Sequence, residues 1–332
     1  MKPLKIVMLQ RSLLTDRIFT EAHRERIRRF GTLVINDASG NPTPARAAEL
    51  ADGADVIITS WGCPPLEADI LDRCPSLGLV LHAAGTVKPI LSPQLSERGI
   101  RLGTANEALA RGVAETALGL AIVSLKNMWQ LSRNTREGEW DKQRERVKEL
   151  YGVTVGIIGA GLSGRHLIRL LQLFEVRVLV YDPFVSEAEV NGMGAGKVEL
   201  DELLRASDVV SIHAPSVPET DRMMNARTLG LMKDDAILIN TARGSLVDEE
   251  ALVAELRKGR LWACLDVTEP EPPEADHPFR SLPNVTLLPH IAGAENNGLY
   301  RLGDYIADEV ERYAEGRPLK GEVDISQLYR LA

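Results

Sequence analysis

Short apolar runs alternate with amphipathic stretches along almost the whole chain. In the first hundred residues the β-rich runs are Lys5–Leu9, Thr32–Asn36, Val56–Ser60, Gly78–His82 and Arg101–Gly103. Helical periodicity fills the gaps at Asp16–Phe30, Pro44–Ala51, Leu66–Arg73 and Ser92–Arg98. Strands alternating with helices at this spacing predict βαβ units and a parallel sheet. Five such strands make a complete small domain of the flavodoxin-like kind. A long helix is expected next, from about Glu107 to Met128; Gly112 and Gly119 within it suggest close packing. The segment Arg133–Glu149 is dense in both charge signs and reads as a solvated helix or as an arm that wraps a partner subunit.

The pattern restarts at Gly152. Val153–Ile158, Arg177–Tyr181, Asp208–Ile212, Ala236–Asn240, Leu261–Val267 and Val285–Leu288 read as strands, with helices between most of them. This predicts a second, larger doubly wound α/β domain. A last helix, about Asn296 to Glu315, is expected to return to the first domain and so close a cleft. The expected division is a discontinuous domain, 1–103 with 296–332, and an inserted domain, 104–295.

Composition narrows the function. The chain has 332 residues, 44% of them hydrophobic, and a formal net charge of −8. No basic block is present, so nucleic acid is not expected as a partner. Cys63, Cys74 and Cys264 show no CxxC spacing, which argues against a disulfide framework and against a structural zinc site. They fit a reducing, cytoplasmic compartment. MKPLKIVMLQ runs straight into a strand, so no secretory leader is expected. The apolar stretch Gly112–Leu125, interrupted by Glu115 and Thr116, is expected to be too short to span a bilayer and to be a buried helix. No membrane and no metal are expected.

The strongest local signal is TVGIIGAGLSGRHLIRLL, where Gly159, Gly161 and Gly164 form G-x-G-x-x-G between a strand and a helix. The first glycine permits the tight turn, the second lets the backbone approach a pyrophosphate, and the third lets helix and strand pack closely. The N–H groups of Leu162 and Ser163 then face the anion, helped by the helix dipole. The strand VRVLVYD ends at Asp182, about 20 residues on, where an acid accepts from the adenosine ribose hydroxyls and repels a 2′-phosphate. Pro183, Phe184 and Val185 follow it with no Lys or Arg among them, which favours NAD over NADP.

Three further segments sit at C-terminal ends of strands, where open α/β sheets bind ligands. ILINTARGSLVDEEAL carries Arg243 in a turn before a helix capped near Asp248. Such an Arg can fork onto a carboxylate and a carbonyl oxygen together. LWACLDVTEPEPP carries Glu269 and Glu271 in a proline-rich loop, and NVTLLPHIAGAE places His290 after a strand and a proline. Each residue alone is unremarkable on a surface or in a loop. Together they suit hydride transfer to a carbonyl: Arg orients and polarises, His supplies a proton to the oxygen, and a Glu stabilises the protonated imidazole.

In order and spacing, GIIGAGLSG, DVVSIHAPSVPET, LINTARGSLVDEEAL, ACLDVTEPEP and LLPHIAG resemble the D-isomer-specific 2-hydroxyacid dehydrogenases, the family that includes phosphoglycerate dehydrogenases and glyoxylate/hydroxypyruvate reductases. The resemblance covers nearly the whole chain and is best from about Asn106 to Gly293. It implies Arg243 as the substrate-orienting arginine, His290 as the acid/base and Glu271, rather than Glu269, as the histidine's partner. Asp266 then faces the nicotinamide end of the cofactor. His213, Ala214, Pro215 and Thr220 line its adenosine half, and Thr241 and Ala242 contact it near the nicotinamide ribose. Pro183 and Gly293 complete the implied cofactor contacts. The resemblance further implies NAD(H), a small 2-oxo or 2-hydroxy acid as substrate, a hinged cleft, and a homodimer built through the NAD-binding Rossmann domain and the 133–149 region.

The substrate loop departs from the family's usual G-V-G-x-D-N. Here it reads His82-Ala83-Ala84-Gly85-Thr86-Val87-Lys88. Ala84, Gly85 and Thr86 can still offer backbone N–H groups to a carboxylate, but the substrate's identity is left open. Trp61, at the end of the third strand, reads equally as a cleft residue or a core aromatic. The length leaves no room for the regulatory C-terminal domain of some phosphoglycerate dehydrogenases, so feedback through one is not expected. Two alternatives stay open: an NAD(H)-sensing, corepressor-like scaffold of the same fold, and a dehydrogenase of phosphite-like acids. Formate is disfavoured, because the formate enzymes carry Gln where Glu271 stands.

Overall fold

The structure, a computed structural model, describes residues 3–325. The chain divides into two compact units, Met1–Leu109 with Ala294–Ala332, and Ala110–Gly293. Residues 1–2 and 326–332, which fall in the expected 1–103 and 296–332 domain, lie outside the described residues.

The first unit holds β1 (Leu4–Met8), β2 (Gly31–Ile35), β3 (Val56–Thr59), β4 (Leu79–His82) and β5 (Arg101–Thr104). They form one parallel sheet in the order β2-β1-β3-β4-β5. The residues of β3 and β4 are buried without a break. That explains why these strands read as continuous apolar runs: helices cover both faces of the sheet. Ile57, Ile70 and Leu95 pack on one face; Ile58, Phe19 and Ile306 pack on the other. Ile306 belongs to the helix Leu299–Ala314, so the C-terminal helix is part of this unit.

The expected helix Asp16–Phe30 is instead two helices, Ser12–Ile18 and Glu21–Arg28. Thr20 resets the chain between them. Its Oγ1 accepts the His23 N–H at 3.4 Å, and its own N–H donates to His23 Nδ1 at 3.1 Å. A reciprocal cap of this kind starts a new helix at a fixed residue. Phe19, left in the break, is buried in the core. Trp61 is 43% exposed just past β3 and is not a core aromatic.

The second unit holds β6 (Tyr151–Ile158), β7 (Glu175–Tyr181), β8 (Gly196–Lys197), β9 (Val209–Ile212), β10 (Ala236–Asn240), β11 (Leu261–Leu265) and β12 (Val285–Leu287). The sheet is parallel, in the order β12-β11-β10-β9-β6-β7-β8. Strand β8 is absent from the sequence-based expectation because two residues carry no alternation to detect. The order reverses between β6 and β9, the place where doubly wound sheets leave a crevice at their C-terminal edge.

The long helix runs from Asn106 to Leu125. The expectation that its apolar stretch is too short for a bilayer is corrected. The helix is long and apolar enough to cross one by length and composition, and 39% of its most apolar window is buried within the protein. Thr116 does not interrupt it, because its hydroxyl donates to the Ala292 carbonyl at 3.3 Å. Gly112 is closely packed: a Cβ there would lie 2.6 Å from Gly293 O, whereas Gly119 faces open space. The left-handed Asn127, at φ 50°, ends this run and starts the helix Met128–Arg136.

Candidate active site

The glycine turn follows β6. Gly159 has φ 93°, a conformation that other residues rarely adopt. A Cβ on Gly164 would lie 2.1 Å from Gly159 O, so helix and turn meet backbone to backbone. At Gly161 nothing lies within 4 Å of where a Cβ would stand, and a ligand can approach the main chain there. The helix Leu162–Leu171 begins at this point, with the N–H groups of Leu162 and Ser163 in its first turn. Asp182, at the end of β7, is buried and holds the turn from behind. It accepts N–H groups from Ala160 (2.8 Å), Phe184 (2.8 Å) and Val185 (3.3 Å). Pro183 lies within this carboxylate-centred turn.

Across the point of strand reversal, His213 follows β9. Its ring is held between Ser211 Oγ at 2.9 Å and Ser163 Oγ at 3.1 Å, and burial pulls its pKa down to about 4. It therefore ties the β9 end to the glycine-turn helix as a neutral imidazole. A Cβ on Gly159 would meet Ala214 N at 2.7 Å, so these two strand ends pack tightly. Thr220 closes the following loop by donating to Pro215 O at 2.6 Å. At the end of β10, Thr241 Oγ1 is buried with no hydrogen-bond partner among the described residues. An unsatisfied buried hydroxyl is costly in a finished core and is accounted for when a polar ligand reaches it. The open Gly161 cradle, the helix N-terminus and this hydroxyl together fit a dinucleotide.

Asn240 shapes the turn that carries Arg243. Its Oδ1 accepts the Ala242 N–H at 3.1 Å and its Nδ2 donates to Arg243 O at 2.8 Å. The Arg243 guanidinium donates to Ala242 O at 2.6 Å. Burial pulls its pKa below the usual arginine value, and the nearby Glu271 opposes that shift. A partly desolvated guanidinium of this kind gains most from an anionic ligand.

Glu271 Oε1 lies 2.6 Å from His290 Nδ1. The carboxylate accepts the Nδ1 proton, which leaves Nε2 free for a substrate. Neither side chain is packed away, with 48% of His290 and 44% of Glu271 exposed. His290 itself stands at φ 53°. Asp266 holds it there. The Asp266 carboxylate is 2% exposed and accepts the N–H groups of Ile291 and Ala292, each at 2.8 Å. The Asp266 carbonyl accepts the His290 N–H at 3.0 Å.

The second unit thus brings Arg243, Glu271 and His290 into mutual range and leaves Glu269 out, its side chain exposed. Gly293 closes the same stretch, against Gly112. Ala84, Gly85 and Thr86 belong to the first unit, just past β4, where Thr104 Oγ1 donates to Ala84 O at 2.9 Å and Gly85 O at 2.8 Å. The anchoring role of Asn240 is missing from the sequence reading. Its signal is an Asn ending an all-apolar strand, which only the turn geometry makes interpretable.

The family model described as "D-isomer specific 2-hydroxyacid dehydrogenase, NAD binding domain" matches residues 118–292. The D-3-phosphoglycerate dehydrogenase of Methanocaldococcus jannaschii is 30% identical over 288 residues, 86% of this chain and 55% of that protein. The glycerate dehydrogenase of Methylorubrum extorquens is 31% identical over 285 residues, 83% of this chain and 88% of that protein. A phosphoglycerate oxidoreductase structure from Rhizobium etli superposes with a TM-score of 0.82 at 26% identity, covering 97% of this chain and 99% of that one. The chain spans about half the length of the phosphoglycerate dehydrogenases it matches.

Proposed function

Since the chain belongs to the D-isomer-specific 2-hydroxyacid dehydrogenases, we propose that it interconverts a small 2-oxo acid and its D-2-hydroxy acid with NAD(H). The observation that carries this reading is the His290 Nδ1–Glu271 Oε1 bond of 2.6 Å beside the part-buried Arg243. Bound NAD(H) supplies or accepts the hydride. Arg243 forks onto the substrate carboxylate and carbonyl oxygen, which fixes the acid and polarises the bond under attack. His290 gives its Nε2 proton to the carbonyl oxygen in reduction and takes the hydroxyl proton in oxidation. Glu271 holds the ring in the tautomer that leaves Nε2 available and stabilises the imidazolium. Asp266 acts by holding the His290 turn. The loop Ala84, Gly85 and Thr86 is proposed to receive the carboxylate through backbone N–H groups.

The same reading assigns the cofactor's adenosine ribose to Asp182, whose negative charge disfavours a 2′-phosphate. The pyrophosphate goes to Gly161, Leu162 and Ser163, and the nicotinamide ribose to Thr241 and Ala242. A homodimer through the NAD-binding domain and the 133–149 region accounts for large apolar side chains exposed there, Trp140 within the region and Met128, Trp129 and Tyr151 beside it; sedimentation at the monomer mass would refute it. Cys63, Cys74 and Cys264 are all unpaired and buried, as a reducing cytoplasm leaves them.

The test is loss of NADH absorbance with glyoxylate, hydroxypyruvate or pyruvate. His290→Ala is expected to lower turnover by about 100-fold while NADH binding persists. Unchanged turnover in that variant removes His290 from the chemistry. Tight NADH binding with no turnover of any 2-oxo acid by the wild type favours the scaffold alternative.

A further inference from the structure

Glu249 takes no part in the chemistry proposed above, yet its side chain is committed to the loop that carries Glu271. It is the first residue of the helix Glu249–Arg257, after the N-cap Asp248, whose side chain accepts the Ala251 N–H. Glu249 Oε1 accepts the backbone N–H of Glu269 at 2.8 Å. Its Oε2 lies 3.3 Å from His277 Nε2, and both side chains are largely buried. His277 Nδ1 accepts the Phe279 N–H at 3.3 Å, which leaves Nε2 as the ring nitrogen on the Glu249 side. Burial pushes the Glu249 carboxyl above the ordinary range, opposed by the Glu269 N–H and by His277.

The peptide that Glu249 grips is also pressed from the side of the arginine turn. A Cβ on Gly244 would lie 2.2 Å from Thr268 C and 2.6 Å from Glu269 N. Gly244 follows Arg243, and Glu271 lies two residues beyond Glu269. Because the Glu271 and His290 side chains are roughly half exposed, surrounding packing does not aim them. Their 2.6 Å bond therefore depends on where the backbone of the Thr268–Pro273 loop is held.

We propose that Glu249 is a positioning residue: by fixing the Thr268–Glu269 peptide against Gly244, it joins the turn carrying Arg243 to the loop carrying Glu271 and keeps Glu271 on His290. Its effect on turnover rests on the redox reading; its effect on the His290–Glu271 bond does not. Without the carboxylate, the Glu269 N–H loses a charge-assisted acceptor. The loop then samples positions an ångström or so away, enough to break the pair.

The experiment compares E249A, E249Q and E271A, together with the double variant E249A/E271A. E249A is expected to lower kcat by about tenfold or more, with KM and NADH affinity within about twofold. E249Q keeps an oxygen for the Glu269 N–H and is expected to stay within about threefold of wild type. In the E271A background, E249A is expected to add no further loss, because it acts through Glu271. Losses that multiply in the double variant, or an E249A kcat within about twofold of wild type, overturn the proposal. If E249A does not fold, E249M, which fills the space without an acceptor, takes its place in the same cycle.

A second readout needs no substrate. The downfield proton resonance of the His290–Glu271 bond, identified by its loss in E271A, is expected to shift or broaden in E249A and to persist in E249Q. An unchanged resonance in E249A sinks this inference alone. A wild-type enzyme that turns over no 2-oxo acid sinks the redox reading alone and leaves the resonance to decide the role of Glu249.

Discussion

Replacing Asp266 by alanine tests how His290, the proposed acid/base, is held. The Asp266 carboxylate is 2% exposed and accepts the Ile291 and Ala292 N–H groups, both at 2.8 Å. The Ala292 bond is buried and the Ile291 bond part-buried, so solvent screens the pair little. A hydrogen bond to a charged group contributes about 1.5–3 kcal/mol, so the pair contributes about 3–6 kcal/mol. Against this stands the left-handed His290, at φ 53°, whose strain is about 1–3 kcal/mol. The carboxylate wins, which is why the turn persists. In D266A the strain is released while one buried and one part-buried N–H lose their acceptor, for a net loss of about 2–3 kcal/mol. At roughly 2–4 °C per kcal/mol for a unit of this size, Tm falls by about 4–12 °C. His290 then leaves the left-handed region and swings off Glu271, and turnover drops by about 100-fold although the histidine is still present. Thermal melts and steady-state NADH oxidation measure both effects. A D266A protein that melts within about 2 °C of wild type refutes the stability argument. One that melts lower but turns over at the wild-type rate refutes the link from Asp266 to His290.

D182A is expected to lower the ratio of NADH to NADPH kcat/KM by about tenfold or more, through loss of the charge that opposes a 2′-phosphate; a wild type that already prefers NADPH defeats the assignment. G164A puts a Cβ 2.1 Å from Gly159 O, and neither backbone segment can yield cheaply. Fluorescence titration is expected to show NADH affinity weakened by about tenfold or more, with overpacking of about 1–3 kcal/mol visible in the melt; wild-type affinity and Tm contradict the packing role of this glycine. Burial holds both His82 and His213 at about 4, against about 6.5 in an unfolded chain. The unfolded chain therefore binds more protons across that window, so stability is complete above about pH 6.5 and declines as the pH falls toward 4. Tm is expected to follow that course, with a shallower decline in H213Q; a Tm that is flat from pH 6.5 to 4 counts against neutral, buried imidazoles.

Most strands were legible because a parallel sheet covered on both faces demands near-continuous apolar runs, as in the fully buried Val209–Ile212 and Ala236–Asn240. The short β8 was not, since two residues show no period. The break at Thr20 depended on a side-chain and backbone exchange with His23 that competes locally with helix continuation. The glycine turn could be read from residue types alone, because φ 93° at Gly159 and the 2.1 Å approach at Gly164 admit no other side chain.

Arg243, Glu271 and His290 announced themselves by residue type at the ends of strands, which is a property of local sequence. What holds them did not. Residue type alone did not separate Glu271 from Glu269; the family resemblance did. That Asp266 spends its carboxylate on the Ile291 and Ala292 amides and that Glu249 grips the Glu269 peptide depend on which loops β10, β11 and β12 set side by side. Periodicity records how each segment meets the solvent and the core. Contacts between segments far apart along the chain exist only once the sheet order has brought them within hydrogen-bonding distance.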